Sequence, residues 1–170
     1  MSKQLIYDQE GHAHYVTFAC YKHRRLLDNQ RAKRIVIAIL NDQLKKQDGK
    51  CAGFVIMPDH VHVIVWFKET NQLSHLMKQW KQRSSVQIKK NLKNHFKKYQ
   101  SMFDTGEPIW QRRYFSFNLY SLGKIREKID YMHANPVRAG LVSYPEEWEY
   151  SSARYITQGK SVGVKIEFPG

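Results

Sequence analysis

The segment MPDHVHVIVW, residues 57–66, carries two histidines one residue apart at the start of an apolar run. Valine and isoleucine dominate the run, which predicts a buried β-strand. Because successive side chains of a strand point to opposite faces, His60 and His62 share one face, and Val61 and Val63 share the other. Two imidazoles on one face of a rigid strand are a candidate metal site. The pair alone leaves open whether it binds a metal or consists of two unrelated histidines.

The sequence around this segment predicts an α+β fold. Residues 51–57 form a preceding strand, joined by a tight turn at Pro58-Asp59. Residues 14–21 form a first strand, and residues 109–120 form a fourth strand or an extended segment. Helices are predicted over about 29–47, over 71–96 with a break at Ser84-Ser85, and from 121 to about Asn135, before Pro136. We therefore expect a ferredoxin-like (split βαβ) antiparallel sheet, with helices packed on one face and a C-terminal extension.

Length and composition favour one folded domain. The 170 residues predict a single domain over 1–170, with a core at about 12–150 and a tail at about 151–170. The longest apolar run is too short for a membrane span, and the first residues lack the apolar region of a signal peptide. Cys20 and Cys51 lack metal-site spacing and are predicted to be small, half-buried hydrophobes of a cytoplasmic protein.

The charge of the chain predicts a polyanionic partner. Lysine and arginine number 28 against 15 acidic residues, a net charge of +13, which favours nucleic acid before membrane. Between Thr70 and Phe103 there is no acidic residue. The basic residues of this segment are Lys78, Lys81, Arg83, Lys89, Lys90, Lys93, Lys97 and Lys98. A solvated helix face normally mixes both signs of charge, so this segment is better explained by binding to phosphates.

A second motif, DYMHANPVRAGLV at residues 130–142, offers a candidate nucleophile and ligand. On a helix, Tyr131 and Asn135 lie four residues apart and share a face. A metal held by His60, His62 and Asn135 could bind a scissile phosphate. The phenol of Tyr131 becomes an effective nucleophile once a cation or base helps to remove its proton. Helical tyrosines are more often core residues, and spacing alone leaves both interpretations open.

The two motifs together resemble a known family. Residues 57–62 resemble the histidine-hydrophobic-histidine signature of the HUH endonucleases, and residues 131–142 resemble the tyrosine helix of their single-tyrosine transposases. The run NPVRAGL at 135–141 and the WQR at 110–112 resemble the REP-associated tyrosine transposases in particular. The resemblance covers about residues 15–150, and the two motifs in this order are specific, whereas either alone is not.

The resemblance implies a DNA strand transferase of bacterial type that acts on the nucleoid. Mg²⁺ or Mn²⁺ would be held by His60, His62 and Asn135, and the catalytic residues would be Tyr131 with the two histidines. Such enzymes cleave single-stranded DNA next to hairpins such as REP palindromes, through a covalent 5′-phosphotyrosine intermediate. Relatives are monomers or homodimers. The alternative is a protein of the same fold that binds hairpin or single-stranded DNA without cutting it.

The remaining basic and aromatic residues become candidate DNA contacts. Along the acid-free helix these are Lys78, Lys81, Arg83, Lys89 and Lys90. Arg112, Arg113 and Arg138 are candidates for the phosphates that flank the cut. Trp110, Tyr114 and Phe115 are candidates for stacking unpaired bases, although aromatic residues of a strand are often core residues. An RNA-binding domain with a split βαβ sheet is disfavoured, because the aromatic strand signature of RNA recognition motifs is missing.

Overall fold

The computed structural model of the chain describes residues 13–95 and 97–169. Phe96, which the sequence assigns to a helix, and the first twelve residues of the predicted domain lie outside the described residues. In the described part, the strands are β1 (Ala13–Ala19), β2 (Gly49–Ile56), β3 (His60–Phe67) and β4 (Phe115–Leu119). The α-helices there are α1 (Gln30–Lys46), α2 (Leu73–His95), α3 (Gln100–Asp104), α4 (Leu122–His133), α5 (Asn135–Arg138) and α6 (Ala153–Gln158).

The strands form an antiparallel sheet in the order β2-β3-β1-β4. Strand β3 is inserted between β1 and β2, which α1 connects, so the first half of the chain is a split βαβ unit. The predicted α+β, ferredoxin-like fold is confirmed. Strand β3, which carries both histidines, is hydrogen-bonded on both sides and is buried along nearly its whole length.

The expected packing of the helices on one face of the sheet is wrong for α4. Helices α1 and α2 cover the face that presents Val61 and Val63. Ile125 and Ile129 of α4 pack against Ile64 on the opposite face. The cause is visible in β3, whose apolar residues point to both sides of the sheet, as in a strand buried on both faces. The histidines lie on the face that α4 covers.

The turn before β3 is held from two directions, which fixes the position of His60. The backbone N–H of Met57 donates to the carbonyl oxygen of His60 at 2.8 Å and closes the predicted hairpin. The carbonyl of Asp59 accepts from the Cys20 N–H at 2.8 Å, and that of Pro58 accepts from Leu27 at 2.9 Å. The strand that presents the histidines is therefore anchored at its first residue.

Three predicted element boundaries are corrected. Helix α2 runs through Ser84 without a break, because the Ser84 hydroxyl donates to the Trp80 carbonyl at 2.6 Å and satisfies itself inside the helix. The predicted strand over 109–120 is regular only at Phe115–Leu119. Helix α4 ends at His133, and Asn135 begins the short helix α5.

The C-terminal segment lies along the outer edge of β2. Ser151 bridges to Val55, and Ile166 bridges to Cys51. The indole N–H of Trp148 also donates to the Ile56 carbonyl at 2.9 Å. A covered strand edge cannot pair with a second chain, so this segment protects β2.

Candidate active site

Strand β3 presents His60 and His62 on the same face, as predicted. Their ring centroids lie 4.7 Å apart, and the ring planes are nearly perpendicular at 85°. His62 is buried at 7% exposure, whereas His60 sits at the strand end and is half-buried. Both imidazoles belong to the face of the sheet that α4 covers, and Asn135, which follows that helix, contacts His62.

The Nδ1 atom of each histidine has a partner within the protein. His60 Nδ1 lies 2.6 Å from Asp59 Oδ1, and because a carboxylate only accepts, His60 donates its Nδ1–H. His62 Nδ1 lies 2.5 Å from the hydroxyl of Tyr15, a residue of the adjacent strand β1. With Nδ1 engaged, each ring has Nε2 left for a ligand. This second shell is the usual arrangement around histidines that bind metals.

Asn135 reaches the same place from the other side. Its amide nitrogen lies 2.7 Å from His62 Nε2. With Nδ1 of His62 protonated and bonded to Tyr15, Nε2 accepts this bond from Asn135. A half-turn of the amide brings its oxygen to the same position, which would give a donor set of two imidazole nitrogens and one amide oxygen. That set fits a divalent cation of the first transition row.

Burial keeps His62 neutral. The pKa of His62 is lowered to about 3, chiefly by desolvation and further by the charges of His60, Arg138 and Lys128. Burial likewise raises the pKa of Tyr15 to about 12, with a smaller contribution from Tyr131, so Tyr15 remains a neutral phenol. A neutral imidazole is the form that binds a metal. The protein thus maintains His62 in its ligand form over the physiological pH range.

Tyr131 lies at the end of α4, one turn before Asn135, with 49% of its surface exposed. The guanidinium carbon of Arg138 lies 4.3 Å from its ring centroid, and the ammonium of Lys128 lies 4.6 Å from it. Arg138 also donates to the Tyr131 carbonyl at 2.8 Å. The predicted alternative, a tyrosine packed in the core, does not hold. Tyr131 is an accessible phenol between two cations.

Within the described residues, no three His, Cys, Asp or Glu side chains cluster as a metal site. The candidate site described above combines two histidines with an amide as its third member. In the same part of the chain, no helix is both long and apolar enough to cross a membrane.

Residues 9–134 match the family model described as IS200-like transposase. The chain belongs to this family. Its resemblance to the transposases, drawn from the two motifs, is thereby confirmed. A protein of Haemophilus influenzae, provisionally named a REP-associated tyrosine transposase, is 28% identical over 102 residues. That match covers 57% of this chain and 54% of the relative, so it spans about half the relative's length.

A solved structure described as a REP-associated tyrosine transposase bound to a REP hairpin has the same fold. It superposes with a TM-score of 0.67 at 18% identity and covers 95% of this chain and 88% of the other. At this identity the likeness concerns the fold. The antiparallel sheet with helices on both faces is therefore an architecture found in a hairpin-bound transposase.

The predicted DNA contacts of this IS200-like transposase fall into two groups. Most are on the surface. Lys78, Arg83, Lys90, Arg112, Arg113 and Arg138 are exposed, and Lys89 is half-buried. Lys81 is engaged within the protein, since its ammonium donates to the carbonyl oxygens of Gln111 and Arg112 at 2.7 and 3.1 Å. Lys81 therefore holds the backbone of residues 111–112 in place, and its ammonium is less available to a phosphate than those of the exposed lysines.

The prediction that Trp110 stacks on unpaired bases is wrong. It is only 5% exposed, packs edge-on to Phe18 with centroids 4.8 Å apart, and donates from its indole N–H to Ser84 at 2.9 Å. A tryptophan in this position cannot stack on an unpaired base. The sequence-based alternative, a core tryptophan, is the one the structure supports.

Two neighbouring cavities lie beside the basic surface, and one of them reaches His60. One of about 460 Å³ is lined by Lys78, Lys81 and Arg112 among others. The next, of about 490 Å³, is lined by Arg113 together with His60. The segment 111–114 borders both cavities. Arg112 and Arg113, two of the arginines predicted to bind phosphates, thus lie between α2 and His60.

Sequence reasoning missed three residues of the site, namely Tyr15, Asp59 and Lys128. Lys128 lies three residues before Tyr131 on the same helix face, which is a signal that the sequence offers. Its ammonium lies 4.8, 5.0 and 4.6 Å from the ring centroids of Tyr15, Phe117 and Tyr131. Tyr15 can be recognised as a neighbour of His62 only once β1 is known to pair with β3. The local sequence does not predict this pairing.

Proposed function

We propose that this transposase is a metal-dependent single-stranded DNA endonuclease and strand transferase that cuts next to hairpins such as REP palindromes. One observation carries the proposal. The end of α4 brings Asn135 within 2.7 Å of His62 and leaves Tyr131 half-exposed one turn earlier. The proposed nucleophile thus lies within one helical turn of a proposed metal ligand, which supports the proposal.

Mg²⁺ or Mn²⁺ would be held by His60, His62 and Asn135. When bound, such a cation polarises a phosphodiester and offsets the negative charge that develops in the transition state. The protein's own contribution is orientation, since Asp59 and Tyr15 hold the two imidazoles through Nδ1. Their hydrogen bonds also set which ring nitrogen carries the proton.

Tyr131 would attack the phosphorus atom of the scissile phosphodiester. A bond forms between its phenolic oxygen and phosphorus, and the bond between phosphorus and the 3′ oxygen breaks. The phenol loses its proton, and the 3′ oxygen leaves as a hydroxyl. Arg138 and Lys128, which flank the ring, lie where the negative charge of the phosphate arrives. A second 3′-hydroxyl can reverse the step and join two strands, with the bond energy conserved in the phosphotyrosine.

The hairpin would lie along α2. The exposed basic residues of α2 are followed by Arg112 and Arg113, which line the two cavities described above on the side toward His60. A transposase of the same fold has been captured on a REP hairpin, which supports this substrate class. Long-range attraction from a chain with a net charge of +13 further favours a polyanion.

The test is covalent capture. The protein is incubated with single-stranded hairpin oligonucleotides carrying several different flanks and Mn²⁺, and the products are separated on a denaturing gel. We expect a slowly migrating protein–DNA adduct that Tyr131→Phe abolishes. Tyr144→Phe, at another exposed tyrosine, is the matched control and should retain the adduct. Binding of the hairpins with no adduct on any of the flanks would instead support the non-cleaving alternative. An adduct that survives in Tyr131→Phe would reject the assigned nucleophile.

A further inference from the structure

A cavity of about 580 Å³ lies between β4 and α4, and the ring of Tyr131 forms part of its wall. Phe117 and Tyr120 supply further aromatic surface, and Asn118 and Glu127 supply polar groups. The volume lies within the range of about 300–1,000 Å³ that is typical of small-ligand pockets. The strand cleavage proposed above does not itself require such a cavity.

The position of the cavity limits what can occupy it. A phosphodiester that meets the hydroxyl of Tyr131 carries its flanking nucleosides toward the cavity that Tyr131 lines. The wall carries both signs of charge, because Lys124 and Lys128 line it together with Glu127, and Lys124 pairs with Glu127 at 3.2 Å. The rest of the wall is mostly aromatic, so it suits a flat, partly polar group better than a bare phosphate. A nucleobase has two apolar faces for aromatic side chains and a polar edge for hydrogen bonds. Resting on the proposed function, we infer that this cavity binds the unpaired base next to the scissile phosphate.

Lys128 marks the boundary between the base and the phosphate. Its ammonium lies 5.0 Å from the Phe117 ring centroid and 4.6 Å from that of Tyr131. Phe117 itself packs against Tyr15 with centroids 5.0 Å apart, and Tyr15 bonds to His62. The base pocket and the candidate metal site are thus two sides of one aromatic cluster, with a cation between them.

The polar groups of the cavity predict which bases it accepts. The amide nitrogen of Asn118 donates to the Tyr120 hydroxyl at 3.2 Å, so Asn118 offers its oxygen as an acceptor. Glu127, paired with Lys124 at 3.2 Å, offers a carboxylate, which is also an acceptor. Acceptors select bases with an exocyclic amino group, namely adenine, cytosine and guanine. Thymine has no exocyclic amino group and places its single ring N–H donor between two carbonyl oxygens, which repel acceptors, so it should be disfavoured.

The test uses 2-aminopurine, a fluorescent base that stacking quenches. It is placed at one position after another in the single strand that flanks an oligonucleotide hairpin, and each oligonucleotide is bound to the Tyr131→Phe protein, which cannot cut. We expect quenching at one position, next to the phosphate that the active protein links to Tyr131. Adding Tyr120→Ala should remove this quenching and weaken binding about tenfold. Tyr144→Ala, at an exposed tyrosine outside the cavity, should change neither.

The outcomes separate the two proposals. An adduct with no position at which quenching depends on Tyr120 overturns the base pocket and leaves the cleavage proposal intact. Quenching that depends on Tyr120, without any adduct from the active protein, supports a base pocket and overturns cleavage.

A second variant tests the hydrogen-bond preference of the cavity without removing a ring. Thymine at the quenched position should weaken binding at least about fivefold relative to cytosine, and Glu127→Gln, which can donate to thymine, should reduce that ratio. An unchanged ratio contradicts the assigned role of Glu127.

Discussion

The hydroxyl of Tyr15 lies 2.5 Å from Nδ1 of His62 and connects the first strand of the sheet to the second histidine of the candidate metal site. The rings of the two residues also stack, with centroids 5.8 Å apart and planes inclined by 29°. Tyr15 is only 4% exposed, so this contact is a fixed part of the core. It directs Nε2 of His62 toward Asn135, and we infer that Tyr15 is a positioning residue.

Replacing Tyr15 by phenylalanine should therefore weaken metal binding while preserving the fold. Loss of a group that orients a metal-binding histidine costs about 10- to 100-fold in metal affinity. The ring and its packing against Phe117 remain, but the buried Nδ1–H of His62 loses its acceptor, so the free energy of unfolding should fall by about 1–3 kcal/mol. Isothermal titration with Mn²⁺ and urea denaturation measure the two effects, with Tyr144→Phe as the matched control. Unchanged Mn²⁺ affinity in a folded Tyr15→Phe protein would remove the positioning role.

Asn135 offers a graded test of the third ligand. Its amide nitrogen lies 2.7 Å from His62 Nε2. A shorter side chain or a charged side chain at this position therefore changes the proposed third ligand and leaves the two histidines in place. If Asn135 binds the metal, affinity for Mn²⁺ should rise in Asn135→Asp and fall in Asn135→Ala, because hard divalent cations prefer carboxylate oxygen. Electron paramagnetic resonance of free Mn²⁺ gives the three affinities. Equal values for all three proteins would show that the amide is not a ligand.

Local sequence was sufficient for elements with clear boundaries. Strand β3 is predicted and observed at His60–Phe67, because an apolar run lies between the Pro58-Asp59 turn and a charged exit. The shared face of His60 and His62 follows from the two-residue period of a strand and needs no tertiary information. The contact of His62 with Asn135 joins two motifs separated by 73 residues. The residue types make this contact a hypothesis, and the family resemblance strengthens it.

What the sequence could not provide depends on pairing between distant segments. Tyr15 becomes a neighbour of His62 only through the register of β1 against β3, in which Thr17 lies opposite His62 and Tyr15 lies on the diagonal. Trp110 was a plausible base-stacking residue until its indole was found bonded to Ser84 inside the core. Periodicity likewise indicates that α4 has an apolar face, but not which side of the sheet that face covers.

Two buried histidines should make the apo protein sensitive to acid. Burial lowers the pKa of His133 to about 4 and that of His62 to about 3. The unfolded chain takes up these protons near pH 6.5 and the folded protein does not, so stability is fully present above pH 6.5 and falls as the pH drops toward 4. Each histidine contributes a slope of up to about 1.4 kcal/mol per pH unit.

Urea denaturation between pH 7.5 and 4.5, without metal, measures this slope. His133→Gln removes one of the two titrating groups while keeping a polar atom near Ser152, the partner of His133 at 2.6 Å. We expect the slope of stability against pH to fall by about half in this variant. His75→Gln, at an exposed histidine of α2, is the matched control. Parallel slopes for His133→Gln and the parent protein would contradict the buried, neutral His133.

Two glycines test the packing of the sheet against its helices. A methyl group at Gly49 would meet Phe67 Cδ1 at 2.8 Å and Leu44 Cδ2 at 2.9 Å, so Gly49→Ala should destabilise the protein by about 1–3 kcal/mol. Gly123 lies in α4, and the nearest atom to an added methyl is 3.8 Å away. Gly123→Ala should therefore stabilise by about 0.4–1 kcal/mol. Chemical denaturation gives both values, and a neutral Gly49→Ala would show that the β2–α1 contact is looser than described.

The basic surface makes a prediction that depends on salt. Lys78 is exposed on α2 and lines a cavity with Arg112, so it should contact a phosphate of bound DNA. Removing one phosphate contact lowers the steepness of log K against log salt concentration by about one. We therefore expect Lys78→Ala to weaken hairpin binding at low salt and to flatten the salt dependence by that amount.

Lys165→Ala is the matched control, because Lys165 lies on the C-terminal segment and pairs with Glu167 at 2.7 Å. Fluorescence anisotropy with a labelled hairpin between 50 and 300 mM salt measures both slopes. Equal losses for the two lysines would mean that the charge of the whole chain, and not a track along α2, attracts the DNA.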